Sequence, residues 1–450
     1  MKIQSFIRNK AYQLCTNLLV AGAVVTGVNA HALAQPGDGI RIAGAKIVPS
    51  VDVYTKYETN PGRIASDQGP VGDASLVTRI GLDFRKAGAD LGLNAGGSLV
   101  YDYFFGLTNE STQQYSAFTG DLTLDIETNK RSEFPLDIKT SILRSADPQV
   151  GSLDQKLEHT LFNVGLKTGY NPGGGALKNT LSADYSYDFF DRGSSDTSEL
   201  SAKRQDYQRV TAKLESLYKF LPKTGVFLNV SYVDQRFTYA ESAAFDVSLE
   251  QTDGTTTSYT GQNQTIGIWK AYTGLTGMLT SKMTLLASVG INSTSLNTAA
   301  QNAYTVNGST VLDEGLTAVA GNIQLNWQNS STSKTFLQFS RNVSPASLFK
   351  YVDSLGGAIG GEIRLLGDLA LSAKASLAYL GYGKPVVNDF DTRSDLKLGL
   401  DMVASYSINA GLVFAVVNQL EVLSTSFQSP SGINPSYTAN STFLRIAFRY

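Results

Sequence analysis

Apolar residues recur at every second position through the last eleven residues, Asn440 to Tyr450: Leu444, Ile446, Phe448 and Tyr450 alternate with partners that include Arg445 and Arg449. Successive side chains of a strand point to opposite faces, so this segment has one greasy face and one charged face. The sequence then stops on an aromatic. A period of two excludes a surface helix here and demands a sheet with two different environments on its two sides.

The same period runs through most of the chain. The first such run is Val51 to Glu58, with Val51, Val53, Thr55 and Tyr57 opposite Asp52, Lys56 and Glu58. Leu76, Thr78, Ile80, Leu82 and Phe84 alternate with Arg79, Asp83 and Arg85. Leu122, Leu124 and Ile126 alternate with Asp121, Asp125 and Glu127, and Leu136 and Ile138 with Asp137 and Lys139. Asp184 sits among Leu181, Ala183, Tyr185 and Tyr187, while Arg209, Lys213 and Glu215 sit among Val210, Ala212 and Leu214. Lys374, Lys397 and Asp401 continue the pattern toward the end. Eighteen strands are expected in all, with sixteen to twenty compatible with the boundaries.

The connections alternate in length. Short ones fall near 86–90, 171–175, 221–225, 280–282, 367–368 and 409–410, and long ones near 58–74, 191–204, 241–262, 293–313, 381–392 and 426–438. An all-β, up-and-down antiparallel barrel that crosses a membrane requires this sorting, with short turns on one side and long loops on the other. A β-sandwich has no reason to sort loops by parity, and a propeller would repeat in blocks of four strands. The loops 241–262 and 293–313 are long enough to fold into the lumen.

Chemistry assigns the faces. A Lys or Arg at the bilayer midplane costs about 2–4 kcal/mol. Arg79, Asp83, Arg85, Asp121, Asp125, Glu127, Asp137, Lys139, Asp184, Arg209, Lys213, Glu215, Lys374, Lys397, Asp401, Arg445 and Arg449 are therefore expected to face the lumen, and the Leu, Val, Ile and Phe rows to face lipid. Aromatics at strand ends read as two interfacial girdles. Tyr101, Tyr103, Phe104, Phe105, Tyr185, Tyr187, Phe189 and Phe190 make one, and Tyr170, Tyr218, Phe220, Trp327, Tyr406 and Tyr450 the other.

The N-terminus reads as a secretory signal peptide over residues 1–34: basic Lys2, Arg8 and Lys10, an apolar stretch from Leu18 to Val28, and small residues ending at Ala34. The apolar stretch is too short to span a bilayer as a helix. Cleavage before Gln35 leaves some 416 residues, a formal charge of −5 in place of −2, and no cysteine, since Cys15 is the only one. Residues 35–46 then form a short periplasmic segment ahead of a barrel over 47–450. The acidic balance argues against a nucleic-acid partner.

No catalysis is expected. His159 is the only histidine outside the signal; it stands beside Glu158, and the sequence marks out no nucleophile for it. The Gly173-Gly174-Gly175 run lies between strands and reads as a turn. No His, Cys or carboxylate cluster has metal-ligand spacing, so neither metal nor cofactor is called for.

Two segments carry a resemblance. Leu444, Ile446, Phe448 and Tyr450 form an ending that resembles the assembly signal of bacterial outer-membrane barrels. The entry segment, Pro49-Ser50 followed by Tyr57-Glu58-Thr59-Asn60, resembles the start of the β-barrel porin type 2 family, with Glu58 and Thr59 standing where that family has a pair of Asp. The resemblance implies a Gram-negative outer-membrane barrel whose partners are membrane lipid, the barrel-assembly machinery and components of surface-polysaccharide export. The role it implies is export of an exopolysaccharide. A general diffusion porin, or a non-conducting barrel with binding loops, fits the periodicity equally well.

Overall fold

The computed structural model describes residues 39–450 except 131, 149–155, 173–174, 191–205, 238–244, 251–255, 262–264, 297–303, 307–308, 312–314, 346–350, 366–367, 384–392 and 427–433. The signal segment expected over 1–34 lies outside the described residues.

Eighteen antiparallel strands form one closed sheet. In chain order they are β1 Ala45–Glu58, β2 Asp73–Ala87, β3 Leu91–Phe104, β4 Ala117–Thr128, β5 Leu136–Pro148, β6 Lys156–Tyr170, β7 Leu177–Phe190, β8 Tyr207–Leu221 and β9 Thr224–Phe237. Then come β10 Thr265–Thr280, β11 Met283–Leu296, β12 Thr317–Gln328, β13 Ser333–Pro345, β14 Tyr351–Leu365, β15 Leu369–Tyr382, β16 Ser394–Asn409, β17 Leu412–Thr425 and β18 Tyr437–Arg449. Each strand pairs with its chain neighbours, and β18 returns to β1 over nine residue pairs, from Ser50↔Arg449 to Glu58↔Ser441. Every ladder is thereby closed, which is how a sheet satisfies its backbone in hydrocarbon. A barrel of this strand number is wide enough to enclose an aqueous channel.

The seam is shorter than its neighbours, because β18 stops level with Ser50 while β1 begins at Ala45. A three-residue strand, Ile40–Ile42, fills the remaining edge by pairing with Ala45, Lys46 and Ile47. It turns through Ala43 and Gly44, both with positive φ (48° and 79°), the geometry of a type I′ hairpin. The regular structure thus starts earlier than the expected Val51. Pro49 does not interrupt the seam, because only its carbonyl is used there, accepting from Tyr450 N at 3.1 Å.

Cross-strand partners share a face, so the register carries one parity around the whole barrel. Lys270 on β10 donates to Asn342 Oδ1 on β13 at 2.9 Å, spanning two intervening strands. Only the concave side of a curved sheet allows that contact, and it fixes the concave face. The convex face carries an apolar band in which Val319, Ile359 and Leu444 expose 62%, 60% and 59% of their surface. An apolar belt of this extent has no place in water; it is the lipid surface of a transmembrane barrel.

The convex face is not wholly apolar. Arg144 pairs with Glu158, Arg341 with Asp353 at 2.6 Å, and Arg236 with Asp234 at 3.1 Å. All six stand near the long-loop ends of their strands, where an exposed charge costs about 0–1 kcal/mol. They mark the upper edge of the belt. Asn418 donates to Asn440 Oδ1 and Thr442 Oγ1 at 2.8 and 3.0 Å, so that convex polar group is hydrogen-bonded internally.

Most of the expected girdle aromatics lie on the convex face. Two do not. Phe104 is buried on the concave side against Tyr115, and Phe190 stacks on His159. Each ends its strand one position out of phase with its convex neighbours Tyr103 and Phe189, so nearness to a strand end misled the assignment and parity corrects it.

At the seam, Arg445 Nη2 lies 2.5 Å from Asp52 Oδ2, and Arg445 Nε donates to the same carboxylate at 2.8–2.9 Å. A double-mutant cycle with Asp52→Asn and Arg445→Gln is expected to give a coupling of about 1 kcal/mol, read from urea unfolding of the barrel in lipid vesicles.

Candidate functional site: the lumen wall and its mouth

The register places all seventeen charged residues singled out from the sequence on the concave face. They are not scattered singly. Arg79 reaches Asp121 at 3.5 Å, and Asp121 also accepts from Ser98. Asp125 stands opposite Lys139, and Glu127 opposite Asp137. Lys213 pairs with Glu215 at 2.7 Å, and Lys374 stands opposite Asp401. Arg209 donates to Gln235 Oε1 at 2.8 Å and lies over the Tyr207 ring. Asp83 and Asp184 lie across from Gly96 and Gly165. Arg85 stands opposite Asn94, and Arg449, exposed, opposite Ser50. Lys397 meets Glu421 at 2.6 Å, a partner that the sequence reading missed.

These charges crowd the wall made by β1–β8 and by β14–β18. The wall of β9–β13 differs in kind. Among the described residues its concave positions hold nine amides, Asn229, Gln235, Asn292, Asn322, Gln324, Asn326, Gln328, Gln338 and Asn342, and only two charges, Lys270 and Lys334. The amides are linked. Tyr272 donates to Asn292 Oδ1 at 2.5 Å, and Asn292 and Lys270 both donate to Asn342 Oδ1. A hollow of about 470 Å³ opens here, lined in part by Asn229, Tyr272, Ser288, Asn322 and Asn342. The Asn229 and Asn322 side-chain oxygens are buried and have no protein donor among the described residues.

Two rings are set flat into this side of the sheet by glycine. A Cβ at Gly274 would stand 2.6 Å from the Phe227 ring, and one at Gly360 2.6 Å from Phe336. Without those side chains each ring lies against the backbone and leaves the lumen clear.

At the long-loop end, the segment 59–72 leans inward over the seam. Arg63 binds Glu58 Oε1 on β1 at 2.5 Å and approaches Glu421 on β17 at 3.6 Å, so its guanidinium bridges across the top of β18. Burial works against that charge, but the two carboxylates more than offset it and the Arg63 pKa is raised. Asn60 fastens the loop from within: its side chain accepts from Ile64 N and donates to Ile64 O. The neighbouring loop 105–116 is held by buried Asp73, whose carboxylate accepts from Gly106 N, Leu107 N and Thr112 Oγ1 at 2.6–3.0 Å. Tyr115 then packs on Phe104 and against Gly62. The loops 241–262 and 293–313 contribute, in their described parts, short strands at Phe245–Glu250, Thr256–Gly261, Tyr304–Val306 and Ser309–Val311 that join in a separate four-stranded sheet.

A closed eighteen-strand barrel with an apolar convex belt and a polar concave face defines a porin-like outer-membrane protein. The sequence profile of the family described as "Putative beta-barrel porin 2" matches residues 36–264, just over half of the chain, and the chain belongs to that family. No curated protein matches its sequence. Among solved structures it is similar to the FrpB iron transporter from Neisseria meningitidis (9% identity, 89% of this chain and 81% of that chain covered, TM-score 0.47). It is similar also to the siderophore receptor PirA from Acinetobacter baumannii (8%, 91% and 81%, 0.48) and to OpdO from Pseudomonas aeruginosa (9%, 91% and 98%, 0.45).

The Arg63 bridge holds segment 59–72 at the long-loop end of the barrel. Arg63→Ala is expected to raise single-channel conductance in planar bilayers and to add flicker, as the loop loses its anchor. Unchanged conductance would show that segment 59–72 does not limit the path.

Proposed function

We propose that this porin carries a surface polysaccharide outward through its lumen. The observation that carries the reading is the amide wall of β9–β13. A hydrated glycan presents hydroxyls, which both donate and accept. Asn and Gln offer both functions without the desolvation penalty of a charge, and a ladder of them lets a chain exchange partners as it slides. Passage needs binding that is favourable enough to enter and weak enough to leave, and neutral hydrogen bonds of about 0.5–1.5 kcal/mol each suit that.

In this reading the charged concave residues, Arg79 and Asp121 through Arg445 and Arg449, line the opposite wall and hold its water. The segment 1–34 is removed before Gln35 as the chain is exported. The barrel-assembly machinery recognises the β18 pattern of Leu444, Ile446, Phe448 and Tyr450, and export components deliver the glycan to the short-turn end. At the amide wall of β9–β13 the protein's own chemistry is hydrogen bonding to the glycan.

Deletion of the gene is expected to abolish or strongly reduce the cell's surface polysaccharide; unchanged output would sink the export role and leave a diffusion porin. On the purified barrel, a neutral oligosaccharide should block ion current. The double variant Asn229→Leu, Asn322→Leu should weaken that block severalfold while a charged-wall variant such as Asp125→Asn leaves it near wild type.

A further inference from the structure

We propose that Ser145, His159 and Asp188 form a serine-hydrolase triad on the concave wall near the long-loop rim, acting on small acyl esters that enter the lumen. The three come from successive strands. Ser145 on β5 stands directly opposite His159 on β6. Asp188 on β7 lies two residues before Phe190, the direct partner of His159.

The contacts set the chemistry. His159 Nδ1 is 2.8 Å from Asp188 Oδ1, and Nε2 is 2.5 Å from Ser145 Oγ. An ionised carboxylate only accepts, so Nδ1 carries the hydrogen and Nε2 presents its lone pair to the serine hydroxyl. That is the tautomer a general base needs. Phe190 stacks on the imidazole at 4.7 Å and 10°, fixing the ring plane. The side chains of His159 and Asp188 are only 12% and 6% exposed, whereas Ser145, on the same concave face, is half-buried. Base and orienting acid are thus shielded while the nucleophile is reachable. A histidine kept only for packing would be satisfied by Asp188 and Phe190; the aligned serine adds nothing to that role. Thr119 stands on the same face of β4, one step beyond the Gly120↔Arg144 pair.

The reaction balances with water alone. Ser145 Oγ attacks the ester carbonyl carbon as its proton passes to His159 Nε2, with Asp188 stabilising the imidazolium. The C–O bond to the alcohol breaks, and the alcohol leaves with that proton. Water, deprotonated by His159, then attacks the acyl-serine carbonyl carbon; the acyl C–Oγ bond breaks, His159 returns the proton to Ser145 Oγ, and the carboxylic acid is released. The substrate class, an O-acylated carbohydrate, rests on the polysaccharide reading; the triad itself does not. Ser145 and His159 are the catalytic residues, and Asp188 positions the base.

The test uses the purified, folded barrel, with heat-shifted gel mobility as the check that each variant is folded. A fluorophosphonate probe is expected to label Ser145, located by peptide mass spectrometry, and p-nitrophenyl acetate to be hydrolysed. Ser145→Ala and His159→Ala should each lower that hydrolysis by about 100-fold or more, while Ser141→Ala on the same strand keeps it. Asp188→Asn should slow labelling and also move the pH midpoint of its rate downward, because an anion beside the base is lost; a merely structural Asp188 would not move the midpoint. A folded barrel with no label at Ser145, or hydrolysis indifferent to Ser145→Ala, overturns the triad. Labelling with release of acetate from an O-acetylated glycan supports triad and substrate class together. Labelling without release overturns the substrate class alone, whereas the export role fails separately, on the surface polysaccharide of the deletion strain.

Discussion

Closure of the backbone ladder is the constraint on which the rest of this protein depends. In hydrocarbon an unpaired N–H or C=O costs several kcal/mol, so a membrane sheet has to join its first strand to its last. Here β18 does that, and the Ile40–Ile42 hairpin covers the stretch of β1 that β18 leaves. Closure also fixes side-chain parity. Because opposite partners share a face, a one-residue slip at any of the eighteen junctions would send every later row to the wrong side. Leu444 pointing to lipid and Arg445 pointing to water at the seam are consistent with Val51 and Asp52 only if the whole circuit keeps step.

Once parity is fixed, the lumen can be decorated with little conflict with the fold. Lipid requires apolar side chains on the convex rows, but the concave rows need only tolerate water. That freedom shows in the two unlike walls, charged on most of the barrel and amide-rich on β9–β13. Charged partners such as Arg79 and Asp121 are held at the wall by one another, which keeps long side chains from reaching across the channel. The amides are shorter and neutral, and a hydrogen-bond network runs through them from Tyr272 to Lys270. A linked hydrogen-bonding surface arises here from strand rows whose residues are far apart in sequence.

The barrel itself was legible because period two is local. Each strand announces its faces over a dozen residues, as in Leu122-Thr123-Leu124-Asp125-Ile126-Glu127, and loop lengths give the topology. Charged concave residues were legible for the same reason, since lipid forbids the alternative. Partnerships were not. Glu421 sits in β17 among Val417, Leu420 and Val422 and gains meaning only when β16 and β18 bring Lys397 and Tyr437 to it. Ser145, His159 and Asp188 are 14 and 29 residues apart, and no spacing rule joins them, because antiparallel register depends on turn lengths that sequence fixes poorly. Phe104 and Phe190 failed for a smaller reason: one residue of phase at a strand end separates a girdle position from a concave one.

The rim unites the features that sequence reading left out. On the β1, β17 and β18 side, Arg63 ties a loop to two carboxylates; on the β5, β6 and β7 side, His159 is tied between Ser145 and Asp188. Strand ends fray most easily, since each has a ladder on fewer sides and water competes for its groups. Burying charged and polar side chains there is worthwhile only where every member finds a partner, and both clusters meet that condition through side chains from three strands or from a strand pair and a loop. Side-chain ties of this kind hold the strand ends in one arrangement at the rim. Ordered geometry is what a binding mouth and a nucleophile–base pair both require, so the segment with the weakest periodic signal is where specific chemistry is easiest to place.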